Sequence, residues 1–362
     1  MGESMADNFK DIVQRHALRY PLMQPRDYGK LAYQSEFGPE HLVADEETML
    51  HRLLDEWEQV KEIPTPPPED IGGGLCRVHL GAQREKTYAA QLIVKLFSLT
   101  SREHTGSRKG LEDKLAVLEK LPVAGMREWL CSYRAEGCPP VRHSEMFREH
   151  YAPHYRLMKR EYVCALPALL EVAKLLHTRE SVVVAIDGRC GSGKTSLAAL
   201  MEQVFDCNIF HMDDFYLPKP DRAENWLEIP GGNMDLARLR REVLDRVFSG
   251  ETVDYRPFDC SAGAQMPPIP IKPKNLTVLE GSYSHHPELA APYDLKIFVT
   301  CEKQEQLRRL QVREGDYFPT FMKLWMPLEE QYIRAFDIGS DALVIDTGLT
   351  FDESKFNITG GT

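Results

Sequence analysis

The spacing of apolar residues divides the chain into two regions. In residues 1–160, apolar side chains recur every three or four positions, which is the period of an amphipathic helix. Beyond residue 180, short unbroken apolar runs alternate with longer helical patterns, as in a parallel α/β sheet. We therefore predict a mostly helical N-terminal domain, residues 1–160, and an α/β domain, residues 161–362.

The N-terminal region is predicted to contain several helices and one short strand. The predicted helices cover residues 9–20, 44–60, 87–99, 110–121 and 126–134. Residues 75–80 alternate enough for a strand. Two stretches rich in polar and aromatic residues, 33–41 and 142–156, are interpreted as a solvated face, although such residues could also form a site. The sequence assigns no role to this region.

The second region is predicted to begin with an amphipathic helix over residues 161–178 and to continue as an α/β fold. The predicted strands cover residues 182–186, 208–212, 276–279, 295–299 and 342–345, and the helices between them cover 196–205, 236–248, 303–313 and 320–336. This alternation is typical of a five-stranded parallel sheet flanked by helices. Ligands of such sheets gather at the carboxyl ends of the strands.

A phosphate-binding motif follows the first of these strands. Gly188, Gly193, Lys194 and Thr195 have the spacing G-x-x-x-x-G-K-[ST] of a P-loop, and a helical segment follows. Glycines let the backbone curl until its N–H groups converge on phosphate oxygens at the helix N-terminus. The predicted nucleotide-binding residues are Gly188, Arg189, Cys190, Gly191, Ser192, Gly193, Lys194, Thr195 and Ser196.

Three residues of this motif have predicted chemical roles. Lys194 is predicted to reach the β- and γ-phosphates, and the Thr195 hydroxyl to hold Mg²⁺. Cys190 lies among phosphate-facing amides and beside Lys194, an arrangement that can lower a thiol pKa. We therefore expect Cys190 to be alkylated readily, and bound ATP to protect it.

Acidic residues end the next two strands. Asp213 follows the second strand, and Asp214 adjoins it; Glu280 ends the third. Phosphoryl transfer needs a metal held partly by carboxylates and a group that orients or deprotonates the attacking hydroxyl. Asp213 is predicted to serve both needs, and Glu280 to help bind the metal. The alternatives are a turn or helix cap for the aspartates and a surface loop for Glu280.

Two arginines on a predicted helix are candidates for covering the phosphates. Arg309 and Arg313 are four residues apart and therefore share a helical face. Arginines on a mobile helix can neutralise charge in the transition state of phosphoryl transfer. The alternative is a solvated helix that pairs its arginines with Glu302, Glu305 and Glu314.

Composition excludes some classes of function. The chain has 362 residues and a formal net charge of −11, whereas a nucleic-acid-binding surface is normally basic. No apolar run reaches about 18 residues, so no membrane span is expected. The N-terminus lacks the features of a signal peptide, and the eight cysteines form no C-x-x-C pair. We expect a cytoplasmic protein with free thiols and with neither a nucleic-acid nor a membrane partner.

Taken together, the motifs resemble the uridine kinase and phosphoribulokinase family. The resemblance covers residues 180–348 and comprises the P-loop, residues 213–216, 278–284 and 293–298, and the arginine helix. It implies ATP and Mg²⁺ as cofactors, Asp213 as catalytic base, Glu280 as metal partner, and Arg309 and Arg313 as lid arginines. It also implies that Asp235 grips ribose hydroxyls.

The chain departs from this family where the acceptor is recognised. Uridine kinases carry Pro-x-Tyr-Asp followed by a base-contacting histidine, whereas this chain has Phe258 and no histidine at the expected distance. A site that lacks those donors loses discrimination for a pyrimidine edge. The predicted acceptor-contacting residues are Asp213, Tyr216, Asp235 and Phe258.

The expected activity is ATP-dependent phosphorylation of a hydroxyl on a small molecule, a nucleoside or another riboside. One alternative is a nucleotide-binding regulator in which the N-terminal domain is the output module. Another is an enzyme whose N-terminal half is itself catalytic, with the kinase making or consuming the substrate of that half. Homo-oligomerisation is left open.

Overall fold

The computed structural model describes residues 5–39, 45–60, 64–81, 87–259 and 263–348. Three features of the sequence analysis fall outside these ranges: residue 44 of the helix predicted over residues 44–60, residues 40–41 of the polar stretch 33–41, and Cys260. The chain forms two compact units, one ending at Val163 and one beginning at Cys164. The boundary lies within a helix, Arg160–Thr178, which confirms the helix predicted over residues 161–178.

The first unit combines helices with a small sheet. Its helices are α1 (Met5–Arg19), α2 (Pro25–Phe37), α3 (Glu46–Val60), α4 (Thr87–Glu103), α5 (Arg108–Leu118), α6 (Met126–Ala135) and α7 (Glu145–Tyr151). Its strands are β1 (Glu69–Gly72), β2 (Leu75–His79) and β3 (Tyr155–Lys159), which form an antiparallel sheet in the order β1-β2-β3. All the helices predicted here and the strand over residues 75–80 are confirmed, with shifted ends.

Two helices and two strands of this unit were not predicted. Helix α2 begins with Pro25 in its first turn, and Gln24 and Asp27 form a reciprocal capping box. Helix α7 begins at a Ser144 cap that accepts the Phe147 N–H. Both helices lie in or beside the polar stretches, whose mixed composition hides the three-residue apolar period.

The interpretation of these polar stretches as a solvated face is wrong for several of their residues, including Gln34, His143 and Ser144. Gln34 is 2% exposed and His143 is 6% exposed. The fully buried carboxylate of Asp27 accepts hydrogen bonds from the Ser144 N–H at 2.9 Å and the Ser144 hydroxyl at 2.7 Å. His143 Nδ1 lies 3.0 Å from Asp27 Oδ1, the oxygen that also accepts the Ser144 N–H, and its Nε2 lies 2.8 Å from the Tyr155 hydroxyl. Burial is tolerated because these polar groups satisfy one another.

A second buried polar group surrounds Glu69. This side chain is 1% exposed and lies 3.0 Å from His79 Nε2 and 3.8 Å from Arg77 Nη1. Burial alone would raise the pKa of Glu69, but His79 and Arg77 hold it well below its usual value. His16, which is 4% exposed, lies nearby with its Nε2 3.1 Å from the Asp70 carbonyl. Burial, reinforced by Arg77, lowers the pKa of His16 to about 4.

The second unit is built on a five-stranded parallel sheet. Its strands are β4 (Val182–Gly188), β5 (Cys207–His211), β10 (Leu276–Glu280), β11 (Leu295–Thr300) and β12 (Leu343–Asp346), in the order β12-β11-β4-β10-β5. All seven residues of β4 are buried, as a central parallel strand requires. The predicted fold class and all five predicted strands are confirmed.

Helices and short hairpins complete this unit. The helices are α8 (Arg160–Thr178), α9 (Lys194–Val204), α10 (Leu236–Leu239), α11 (Asp245–Phe248), α12 (Lys303–Glu314), α13 (Phe318–Thr320) and α14 (Met326–Ala335). The short strands are β6 (Val253–Tyr255), β7 (Phe258–Asp259), β8 (Ala264–Gln265) and β9 (Ile269–Ile271), which pair β6 with β9 and β7 with β8. They were not predicted, because two or three residues carry too little periodicity.

Two of the predicted helices are not continuous α-helices. A π-helical segment, Arg240–Leu244, separates α10 from α11, and a second, Phe321–Trp325, precedes α14. In the part of the chain that the structure describes, no helix is long and apolar enough to cross a membrane.

We expect the stability of the first unit to fall in acid because of its buried histidines. Burial lowers the pKa of His143 and of His16 to about 4, so both are neutral in the folded unit at pH 7. The unfolded chain takes up these protons near pH 6.5, and the free energy of unfolding should therefore fall as the pH drops from about 6.5 to about 4. The loss is on the order of 2–3 kcal/mol per histidine.

A His16→Gln/His143→Gln variant should show a flatter pH dependence than the wild type in this window. Thermal unfolding would be followed by the fluorescence of Trp57 and Trp129, in a background that carries Phe in place of the two tryptophans of the second unit. His51→Gln, at an exposed position in α3, is the control and should leave the slope unchanged. Parallel curves for the wild type and the double variant would contradict the prediction.

Candidate active site

The P-loop connects β4 to α9 and contains three glycines in conformations that L side chains rarely adopt, among them Gly191 with φ 72°. Gly188, the last residue of β4, has φ 139°, and Gly193, which caps α9, has φ 104°. A Cβ at Gly188 would also collide with the Val299 carbonyl of the neighbouring strand. Only glycine allows the chain to leave the sheet at this point and turn into the helix.

Lys194 opens α9 and folds back over the loop. Its Nζ donates hydrogen bonds to the Gly188 carbonyl at 2.7 Å, the Arg189 carbonyl at 3.1 Å and the Ser282 hydroxyl oxygen at 3.2 Å. The side chain is therefore buried and bound to protein acceptors. A phosphate group that binds Lys194 has to replace these hydrogen-bond partners. Ser282 was not predicted as part of the site.

Thr195, Glu280 and His211 form a second group beside the loop. The Thr195 hydroxyl, in the first turn of α9, lies 3.4 Å from both carboxylate oxygens of Glu280 at the end of β10. His211 Nδ1 lies 2.6 Å from Glu280 Oε1, since the two residues are paired in register on β5 and β10. This hydrogen bond raises the pKa of His211. His211 was missed, although the parallel pairing of these strands could have indicated it.

These oxygen donors fit Mg²⁺. Among the described residues, no group of three or more His, Cys, Asp or Glu side chains could hold a metal ion by itself. Mg²⁺ in phosphoryl-transfer sites binds through one or two carboxylates together with phosphate oxygens and water. The pair of Thr195 and Glu280 matches that donor set.

The two aspartates after β5 have different environments. Asp213 is exposed in a short 3₁₀ turn and accepts a hydrogen bond from the Tyr216 hydroxyl at 3.0 Å. Asp214 instead anchors the neighbouring hairpins: it accepts the Tyr255 hydroxyl and, at 3.3 Å, the Phe258 N–H. Asp213 alone of the two is therefore available to a substrate in this arrangement.

The other predicted acceptor residues lie around this turn. Asp235 caps α10 by accepting the Arg238 N–H at 3.0 Å, and its own N–H donates to the Phe215 carbonyl at 2.7 Å. Phe258 is half-buried at the start of β7. Burial, together with Asp213, raises the pKa of Tyr216 well above its usual value, so this phenol remains a hydrogen-bond donor.

The two candidate lid arginines are separated by the structure. Arg309 Nη1 donates to the Ser192 carbonyl of the P-loop at 3.3 Å and to the Thr347 hydroxyl at 2.8 Å. Arg313 pairs with Glu314, and its side chain is 55% exposed. Glu305 binds both Arg308 and Arg309 at 2.7 Å, so part of the alternative ion-paired arrangement is also present. A role for Arg313 over the phosphates stays a prediction.

Helices α12 and α14 also contact residues of the P-loop. Gln306 of α12 donates to the Cys190 carbonyl at 2.8 Å. In α14, Glu329 accepts the Cys190 N–H at 2.8 Å, and Glu330 pairs with Arg189 at 2.5 Å. Neither glutamate was predicted as part of the site, because acidic residues in a helix normally indicate a solvated face.

The expected lowering of the Cys190 pKa is wrong. Cys190 is 7% exposed and packs against Leu310 and Met326. Burial, reinforced by the Glu329 carboxylate, raises the pKa of its thiol, and this outweighs the opposite effect of Lys194. The sequence placed the cysteine correctly in the loop, but it did not show that the side chain turns into an apolar cluster.

Cys190 should consequently be alkylated slowly at neutral pH. The exposed Cys131 is the internal reference, and iodoacetamide labelling at pH 7.5 can be followed by peptide mass spectrometry. We expect Cys190 to react at least about tenfold more slowly than Cys131, because its thiol is both protonated and covered. Equal labelling rates would contradict this environment.

Comparison with known proteins adds little beyond the fold. No protein-family model matches the chain, and no curated protein matches it. A solved structure of a possible uridine kinase from Bacillus stearothermophilus is 19% identical, covering 50% of this chain and 97% of that chain, with a TM-score of 0.40. A proposed fructose transport system kinase from Silicibacter sp. TM1040 is 22% identical, covering 48% and 94%, with a TM-score of 0.37.

These similar structures are uridine kinase-like and P-loop kinases, and they match about half of the chain, its C-terminal part. At these identities and TM-scores they have no bearing on substrate or mechanism. The assignment of the fold class depends on the sheet itself.

Proposed function

We propose that the second unit is an ATP-dependent phosphotransferase that phosphorylates a hydroxyl group of a small molecule, a nucleoside or another riboside. The proposal is supported by one observation: phosphate-binding residues and strand-end carboxylates lie at the same edge of the sheet. Thr195 lies beside Glu280, Lys194 binds Ser282 two residues beyond it, and Asp213 follows the adjacent strand β5 by two residues. Phosphate-binding groups and a carboxylate at the ends of neighbouring parallel strands support phosphoryl transfer to an alcohol.

On the donor side, the chain binds and orients the phosphates. ATP with Mg²⁺ supplies the phosphoryl group and neutralises charge on the phosphates. Thr195 and Glu280 would hold the metal, and Lys194 would exchange its loop carbonyls for phosphate oxygens. Arg309 already touches the loop through Ser192 and would add positive charge on that side.

On the acceptor side, Asp213 would accept the proton of the attacking hydroxyl as the hydroxyl oxygen bonds to the γ-phosphorus. The bond between that phosphorus and the β-phosphate oxygen breaks, and ADP leaves. The Tyr216 hydroxyl donates to one Asp213 oxygen and so fixes the carboxylate, leaving its other oxygen for the substrate. A positioned general base of this kind contributes about 10² to 10⁴ in rate. Asp235 and Phe258 would contact the remainder of the acceptor.

Asp213→Asn should lower kcat by about 10² to 10⁴ and leave ATP affinity within threefold, because the amide cannot take up the proton. Turnover would be followed by ADP release and ATP affinity by calorimetry. Asp254→Asn, at an exposed acid of β6, is the control for charge. Full turnover in Asp213→Asn would remove the assigned role.

Glu280→Gln should raise the Mg²⁺ concentration that gives half-maximal ADP release by about tenfold, because one anionic metal partner is lost. The Asp254→Asn variant again serves as the control. An unchanged Mg²⁺ dependence would contradict the proposed metal site.

The activity itself is tested by an ADP-release screen of ribonucleosides, other ribosides, pantothenate and sugar phosphates. We expect at least one acceptor to stimulate ADP release in the wild type and not in Asp213→Asn. ATP binding without multiple-turnover transfer to any acceptor would favour the alternative of a nucleotide-binding regulator.

A further inference from the structure

Helix α14 places a buried carboxylate against the P-loop. Glu329 is 7% exposed; its Oε2 accepts the Cys190 N–H at 2.8 Å, and its Oε1 accepts the Ser282 hydroxyl at 2.6 Å. In the part of the chain that the structure describes, Glu329 forms no ion pair with a lysine or arginine. Two hydrogen bonds compensate for burial of its charge but do not neutralise it.

This carboxylate lies close to the cation of the phosphate site. Ser282 Oγ accepts from Lys194 Nζ at 3.2 Å while donating to Glu329, so the carboxylate and the ammonium are no more than about 6 Å apart. A phosphate oxygen that replaces Ser282 as the partner of Lys194 would therefore lie near Glu329. The same small region would then hold two negative groups.

The expected repulsion between the Glu329 carboxylate and a bound phosphate group is large enough to dominate the affinity of the site for phosphate. Two unit charges about 6 Å apart, at an effective dielectric constant of about 20, change a binding constant by about a hundredfold. The hydrogen bonds that the Glu329 carboxylate accepts support the position of the loop and act in the opposite direction. An uncharged amide at this position keeps an acceptor for the Cys190 N–H, so that most of this support remains when the repulsion is removed. The charge of Glu329 should therefore oppose phosphate binding overall.

We propose that Glu329 is an anionic gate of the phosphate site, deepening the function proposed above and resting on it. The Glu329 carboxylate accepts the Cys190 N–H and the Ser282 hydroxyl, and Ser282 in turn accepts from Lys194. A bound phosphate group displaces the carboxylate, and the loop exchanges a protein carboxylate for the phosphate of the ligand.

The gate is connected to the acceptor side through the segment that precedes α14. Trp325 ends that π-helical segment, and its ring centroid lies 6.3 Å from that of Tyr216, whose hydroxyl binds Asp213.

The gate is tested by calorimetry with two probes, the non-hydrolysable ATP analogue AMP-PNP with Mg²⁺, and inorganic tripolyphosphate. Glu329→Gln keeps an acceptor for the Cys190 N–H but loses the charge, and we expect it to bind both probes at least tenfold more tightly than the wild type. Glu288→Gln, at an exposed acid of the same unit, is the charge-matched control and should change either affinity by less than threefold.

A second variant gives an independent test in case Glu329→Gln fails to fold. Ser282→Ala removes one partner of Glu329 and one partner of Lys194, and both changes should tighten binding of the two probes, by threefold or more. Thermal melts establish which variants are folded. Unchanged or weaker binding in a folded Glu329→Gln or Ser282→Ala variant would overturn the gate. Failure of the wild type to bind either probe would instead overturn the proposed function.

Discussion

The parallel pairing of β4 with β10 on one side and β11 on the other is the constraint on which the site depends. It brings the carboxyl ends of the strands to one edge, with Glu280 opposite Ile186 and Val299 opposite Gly188. The close approach of the Gly188 backbone to the Val299 carbonyl leaves no room for a side chain, so the P-loop begins at a fixed point. Thr195 and Glu280 meet because both are held by this framework.

Within this framework, the polar groups of the loop are already bound by the protein. The Cys190 amide and carbonyl are taken by Glu329 and Gln306, and the ammonium of Lys194 is taken by two carbonyls and a hydroxyl. Buried polar groups require such partners. Phosphate binding is consequently an exchange of partners, and its strength depends on how readily the protein partners are released. Glu329 is the charged one among them.

The requirement that buried polar groups have partners also explains the interior of the first unit. Asp27 and Glu69 are buried carboxylates, and each is compensated by histidine and by further donors. These networks join helices to the small sheet and explain why sequence stretches rich in polar residues lie inside the unit. They also make its stability depend on histidines that are neutral only above mildly acidic pH.

The sequence by itself determined the five strands, the P-loop and the strand-end acids Asp213 and Glu280. Apolar runs and glycine spacing encode these features locally, and parallel topology places strand ends together. Only the tertiary structure decided the roles of Glu329, His143 and the Cys190 thiol. Cys190 and Glu329 are 139 residues apart, and His143 and Asp27 are 116 apart. Local periodicity does not show which distant segments are in contact. The burial and the pKa of these side chains depend on those tertiary contacts.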